Sequence, residues 1–249
     1  MSGRGLAGVC HHFPEPLLPG RLLRRYKRFL AEVELAGGER AAAHCPNSGS
    51  MLGCLEEGAP VMLSRAANPA RSTRYTWEMI FTHGGWVGIN TLLPNRLAAL
   101  AAQRRVLGIF RGATRVRREV PVGAHTRLDL LVERPAGPLY LEVKNVTLVR
   151  EAVALFPDAV TTRGARHLEA LMELAGQGVQ AAMVYVVQRG DAASFAPAQD
   201  IDPRYAELWR RAQAAGVNTV VLQAAVSPQR VCLRRRLPLQ QGWQAGRPS

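Results

Sequence analysis

Two apolar segments divided by a short turn constrain this chain most. They are Thr126-Arg127-Leu128-Asp129-Leu130-Leu131-Val132 and Leu139-Tyr140-Leu141-Glu142-Val143-Lys144, with Pro135, Gly137 and Pro138 between them. Aliphatic runs of this length, bounded by turn formers, predict two adjacent strands. Successive side chains of a strand leave opposite faces. Glu142 and Lys144 therefore share one face, while Leu141 and Val143 point the other way into a core. Antiparallel pairing would set Asp129 across from that polar face. Two carboxylates and one ammonium then converge at the end of a buried sheet, which is costly unless close pairing or function maintains it. A strand that ends in Glu and Lys is also ordinary protection of a sheet edge, so the tripeptide alone carries little.

Around this pair the chain divides in two. Residues 21–90 read as short strands with turn signals and little helical periodicity: Arg21 to Leu35, Glu39 to His44, Pro60 to Ala66, and Arg74 to Asn90 broken at Gly84-Gly85. About five short strands in so small a module suit an OB-like β-barrel, an architecture that commonly binds oligonucleotides. An Ala- and Leu-rich helix over Pro94 to Ala102 follows and is placed to join the halves. Beyond it come strands at Arg115–Val120, Thr126–Glu133, Leu139–Val143, Ala181–Gln188 and Asn218–Gln223, with helices at Gly164–Leu174 and Pro203–Ala214. Strands interleaved with helices give an α/β layer structure. The expected organisation is α+β / α/β in two domains, a small barrel over 15–92 and an α/β domain over 93–238, with Gln241 to Ser249 as a frayed tail.

The charge narrows the partner. Thirty-two basic and nineteen acidic residues leave a net +13, enough to attract a polyanion. No acidic residue falls between Glu78 and Glu119 or after Glu207, whereas arginines crowd both stretches. Such blocks suit phosphate contacts or, with equal weight, a solvated basic face. Only Lys27 and Lys144 are lysine. In a chain that uses arginine for generic positive charge, the compact ammonium of Lys144 calls for a specific reason. With 47% hydrophobic and 20% charged residues, the composition excludes disorder and collagen-like structure. Four scattered cysteines, Cys10, Cys45, Cys54 and Cys232, do not form a disulfide scaffold, so reduced thiols in a cytoplasm are expected. No segment reads as a secretory leader or membrane span. His44, Cys45 and Cys54 lack the second ligand pair of a zinc site, and Pro46-Asn47-Ser48-Gly49 reads instead as a tight polar loop.

Asp129, Glu142 and Lys144 are the inventory that phosphodiester hydrolysis uses. Two carboxylates can hold Mg²⁺ or Mn²⁺ with positions left for water and a phosphate oxygen, and the lysine can orient the nucleophile. The Asp, then Glu-x-Lys order resembles the PD-(D/E)xK nuclease superfamily, with Leu128 where the eponymous proline would stand. A wider set of phrases resembles the sugar fermentation stimulation protein A family over residues 21 to about 205. Among them are Arg25-Tyr26-Lys27-Arg28-Phe29-Leu30-Ala31, His44-Cys45-Pro46-Asn47-Ser48-Gly49-Ser50-Met51, Glu142-Val143-Lys144-Asn145-Val146-Thr147-Leu148 and Phe156-Pro157-Asp158-Ala159-Val160-Thr161. The resemblance implies an OB-like domain joined to a nuclease-like α/β domain, and a bacterial DNA-binding protein or nuclease linked by name to sugar (maltose) utilisation.

The expectation is a metal-dependent DNA or RNA nuclease, and the rival is a DNA-binding regulator of sugar-metabolism genes that does not cleave. A third reading is an enzyme for a small anionic substrate. Asp129 and Glu142 are the expected metal ligands, with Glu119 a further candidate. Arg115, Arg117, Arg118, Arg127, Arg163, Arg166 and His167 are candidate nucleic-acid contacts, and Tyr75, Trp77 and Trp86 lie on strands as either base-stacking or core residues. DNA is the partner expected first, with RNA as the alternative and no membrane; a homodimer is compatible with the sequence.

Overall fold

In the computed structural model, residues 5–66, 68, 70–123, 126–240 and 242–243 are described. After β1 (Cys10–His12) come the strands of the barrel: β2 (Leu18–Tyr26), β3 (Leu30–Leu35), β4 (Arg40–His44), β5 (Pro60–Arg65) and β6 (Tyr75–Thr82). They pair in the order β4-β3-β2-β5-β6, and a short parallel pairing of β4 with β6, Ala43 opposite Tyr75 and His44 opposite Thr76, closes the cylinder. Alternation fills it: Leu22, Ala31, Val33, Val61, Leu63 and Trp77 form its core. Strand β7 (Gly85–Gly88) hairpins onto β6 and extends that edge.

The extended run expected over Arg21 to Leu35 is in fact a hairpin of β2 and β3. Its turn places Lys27 and Arg28 in the left-handed region, at φ 49° and 61°. Side chains with a Cβ adopt that region at a cost. Here the Arg25 guanidinium donates to the Arg28 carbonyl at 2.9 and 3.2 Å and holds the turn.

The second domain runs α1 (Leu92–Gln103), β8 (Arg115–Val122), β9 (Thr126–Glu133), β10 (Leu139–Val146), β11 (Leu148–Arg150), β12 (Val153–Phe156), α2 (Thr162–Gly176), β13 (Gln180–Val187), β14 (Ser194–Pro197), α3 (Pro203–Ala214), β15 (Asn218–Val226) and β16 (Arg230–Arg236). A seven-stranded sheet has the order β1-β16-β15-β13-β10-β9-β8, and β11, β12 and β14 form a small second sheet. Strands β10, β13 and β15 are parallel because α2 and α3 return the chain between them. Helix α1 covers one face of the sheet, packing Leu93 and Leu97 on Leu130, Leu141 and Val184. Helices α2 and α3 cover the other, with Leu168, Leu171 and Leu208 against Leu128, Met183 and Val221. So α1, placed by the sequence as a connector, is part of this domain's core. The expected frayed tail is corrected in part: Trp243 is buried beside Leu155 and Ala198, while 241 and 244–249 lie outside the described residues. Among the described residues no helix is long and apolar enough to cross a membrane.

Two polar latches hold the domains together. Gln188, fully buried at the end of β13, reaches the carbonyls of Gly88 and Asn90 and the side chain of Asn145, while the Gly88 amide donates to the Gln188 carbonyl at 2.9 Å. A Cβ on Gly88 would stand 2.6 Å from the Gln188 side chain, so this contact requires glycine. In the second latch, Ser50 donates to the Asp158 carbonyl at 2.6 Å and the Asp158 carboxylate accepts the Met51 amide at 2.8 Å. The polar loop after β4 is therefore an interdomain strap, and Cys45 and Cys54 are free, buried thiols beneath it.

The expectation of four reduced thiols is corrected at the other pair. Strand β1 returns to the second domain and pairs antiparallel with β16, setting Cys10 opposite Cys232, and the two form a disulfide across 222 residues. Closing so long a loop restricts the unfolded chain, and removing such a link typically costs about 2–4 kcal/mol. Cys232→Ser should therefore unfold at a lower temperature than the oxidised wild type, and should be indifferent to dithiothreitol in a melt where the wild type is not.

Candidate functional site

Strands β9 and β10 pair only as far as Leu141 opposite Leu130. At the next level the Val143 amide, which would continue the ladder, donates instead to the Asp129 carboxylate at 2.8 Å. The carboxylate thus ends the pairing and takes its place at the point where the strands part. Its other oxygen accepts from Asn95 of α1 at 2.8 Å. Glu142 stands beside it on the floor of a cleft of about 560 Å³ between the domains. The barrel contributes Arg25, Arg28 and the strap residues to this cleft, and the second domain contributes Asp129, Lys144, Asp158 and Arg163.

Glu142 is only 2% exposed. Its Oε1 accepts from Lys144 Nζ at 2.6 Å and also meets Nδ1 of His167, which lies 3.1 Å from the same ammonium. Its Oε2 is buried without a hydrogen-bond partner. One oxygen is thus held by two side chains and the other is left bare. Burial alone would raise the Glu142 carboxyl, but the His167 hydrogen bond and the Lys144 charge outweigh it and hold the group below its usual value. Asp129 goes the other way, pushed up to about 7 by burial and by the neighbouring Glu142 charge, against the hydrogen bond from Val143.

The expected trio of Asp129, Glu142 and Lys144 is thus brought together, and the face assignment follows β10: Leu141 and Val143 join the α1 core while Glu142 and Lys144 face the cleft. His167 is buried on α2 against Glu142, a position for holding that carboxylate and not for gripping a phosphate on the surface. Glu119 is not gathered in. It adopts φ 53° with an exposed side chain, and no cluster of three His, Cys, Asp or Glu groups suited to a metal occurs among the described residues. Arg115, Arg117 and Arg118 are exposed on β8, the sheet edge; Arg117 lies 3.8 Å from Glu133, and Arg127 donates to the Glu119 carbonyl. Arg166 is exposed on α2 outside the cleft lining, whereas Arg163 belongs to it. Sequence reasoning missed Arg25, Arg28, Asn95 and Asp158 as cleft residues. Trp77 is in the barrel core with its indole N–H on the Met79 carbonyl, and Trp86 packs edge-on against Phe81.

These features define a class: a small closed barrel joined to a helix-flanked mixed sheet, with a buried Asp, Glu and Lys set in the cleft between them. The N-terminal part matches the family description "SfsA N-terminal OB domain" over residues 23–89, and the following part matches "Sugar fermentation stimulation protein RE domain" over residues 92–230. The chain belongs to the sugar fermentation stimulation protein (SfsA) family. It is 50% identical over 224 residues to the sugar fermentation stimulation protein homolog of Pelobacter propionicus, covering 90% of this chain and 97% of the relative. It is 49% identical to the Geobacter sulfurreducens homolog over 92% and 98% of the two chains. Among solved structures it is similar to SfsA of Pyrococcus furiosus, solved in complex with Ca²⁺, with a TM-score of 0.86 and 28% identity over 92% of this chain and 98% of that one.

The raised Asp129 sets a pH signature. An acid held above its unfolded value of about 3.9 weakens the fold as pH climbs from there toward the folded value, after which the penalty is constant. Asp129→Asn should therefore be more stable than wild type in EDTA at pH 8, with the advantage shrinking as pH falls through the range from 7 to 4. Each kcal/mol relieved raises the melting temperature by roughly 2–4 °C in a chain of this size.

Proposed function

We propose that the protein is a divalent-metal-dependent nuclease that draws DNA or RNA into the interdomain cleft. The observation that carries this reading is the bare Oε2 of Glu142 beside Asp129. An unpartnered buried carboxylate oxygen next to a second carboxylate, itself resistant to ionisation because of burial and of its neighbour's charge, calls for a cation. Mg²⁺ is typically bound through one or two carboxylates with waters completing its shell, so two acidic residues suffice. That SfsA of Pyrococcus furiosus was solved in complex with Ca²⁺ is consistent with a hard cation as the ligand.

Asp129 and Glu142 hold the ion in this reading, and the Asn95 and Val143 hydrogen bonds fix the orientation of Asp129. When bound, Mg²⁺ or Mn²⁺ lowers the pKa of a water and offsets charge on the phosphate. Lys144, anchored on Glu142 Oε1, orients the attacking water and shares in stabilising the developing charge. His167, against Oε1, helps hold the Glu142 carboxylate in place and leaves Oε2 as the oxygen that would be available to the ion. Arg28 and Arg163, both exposed on the cleft wall, meet flanking phosphates. The β8 arginines add long-range attraction that weakens with salt.

The test is product formation from labelled single- and double-stranded DNA and RNA with Mg²⁺ or Mn²⁺. Asp129→Ala, Glu142→Ala and Lys144→Ala should each lower the rate by a factor of about 100 or more, the scale of losing a principal charge-stabilising group. Their binding in EDTA should stay near the wild-type value. Tight binding with no cleavage by the wild type under any condition would replace this reading with a non-cleaving DNA-binding regulator.

A further inference from the structure

A second cavity, of about 300 Å³, lies where α3 meets β14 and the chain that follows β16, and it shares no lining residue with the interdomain cleft. One wall is laid down by backbone pairing. Leu239 forms a parallel bridge with Phe195, the Phe195 amide donates to the Pro238 carbonyl at 3.0 Å, and the Gln240 amide donates to the Phe195 carbonyl at 2.8 Å. The segment is thereby fixed along β14, and Trp243 packs into the small cluster of Leu155 and Ala196. The other wall is α3, where Trp209 packs near Phe195 and Gln213 follows four residues on, so that both stand on one face of the helix.

These two residues carry the signal. Trp209 Nε1 and Gln213 Nε2 are shut off from solvent and have no hydrogen-bond partner, and both residues line the cavity. They are two of the four such side-chain atoms among the described residues. Trp209 as a whole is only 7% exposed. An indole N–H can only donate, so nothing but an acceptor will satisfy it. Buried donors are nearly always paired, and one left alone costs free energy until an acceptor reaches it. A positive charge stands beside them. The exposed Arg210 lines the same cavity and donates to Gln199 Oε1 at 3.1 Å, a bond that uses one of its five donors. No carboxylate lines the cavity, and Leu239, Trp243 and Pro197 make the remainder apolar.

We propose that this cavity binds a small organic carboxylate with a flat apolar body. The carboxylate accepts from the Trp209 indole and the Gln213 amide, Arg210 supplies the opposite charge, and the body lies against Leu239 and Trp243. Two donors and one cation match the two oxygens and single charge of a carboxylate, whereas a phosphate would bring further charged oxygens against the indole rings. The volume stands at the low end of small-molecule pockets, roughly 300–1,000 Å³, and suits a one-ring acid. This site goes beyond the nuclease reading and does not depend on it.

The test titrates the full chain with benzoate and with its neutral isostere benzamide, observed by proton–nitrogen-15 correlation spectra. Four tryptophans give four indole N–H signals, and the one missing from Trp209→Phe identifies Trp209. Benzoate should move that signal downfield and saturate, with about tenfold more benzamide needed for the same response. The Trp77 signal should stay in place, because its N–H is already held by the Met79 carbonyl. Arg210→Gln alters an exposed side chain and needs no assignment. By equilibrium dialysis it should weaken benzoate binding about fivefold or more, the scale of a hydrogen bond to a charged group, with less than a twofold change for benzamide. A Trp209 signal that benzoate leaves unmoved, a shift that never saturates, an equal response to benzamide, or benzoate binding unchanged in Arg210→Gln would each overturn the proposal.

Discussion

The site depends on one carboxylate that is satisfied at one oxygen only. Burying Glu142 in the sheet is tolerable because Lys144 and His167 converge on Oε1. Removing a buried charge's partners is expensive, commonly about 3–5 kcal/mol, so the three side chains constrain one another. That constraint reaches outward. His167 reaches Glu142 from α2, Lys144 shares its face of β10, and Asp129 interrupts the neighbouring ladder to take the amide that β10 leaves unpaired. Parting of β9 from β10 and formation of the cleft floor are thus one event.

The cleft exists because a second body is held against that floor. The Gln188 contacts and the Ser50–Asp158 strap are both made of directed hydrogen bonds, which specify a distance and an angle where apolar packing alone would permit sliding. The strap residues line the same cleft they secure, so the barrel's grip on the sheet domain and the shape of the substrate path are set by the same atoms.

Much of this was legible in the sequence, for reasons tied to particular residues. Period-two alternation placed Glu142 and Lys144 on the polar face of β10, and the helix expected near Pro203 to Ala214 coincides with α3. The β2–β3 turn was hidden because Lys27-Arg28 occupies left-handed positions that usually carry asparagine or glycine, and its support comes from Arg25 through contacts no local pattern shows. The pairing of β1 with β16 was hidden by 222 residues of separation. His167, a candidate phosphate contact in the sequence, is buried against Glu142, and it falls with Gly164, Leu168 and Leu171 on the buried face of α2, as a structural histidine on a helix commonly does. The arginine blocks pointed to a groove, yet the block at 115–118 lies on an edge strand and the cleft takes its cations from elsewhere, because charge counted along a chain says nothing of which edge will carry it.

The return of β1 to the seven-stranded sheet changes what the barrel is. The chain leaves the sheet domain after His12 and re-enters it at Leu92, so the barrel is an insert anchored at both ends in one body. The Cys10–Cys232 bond makes that body and its insert a single covalent ring. A module hung from one linker can swivel freely, but one held at two points has only the axis through its anchors left to turn about. Grafting a foreign barrel would therefore require two junctions to be matched instead of one.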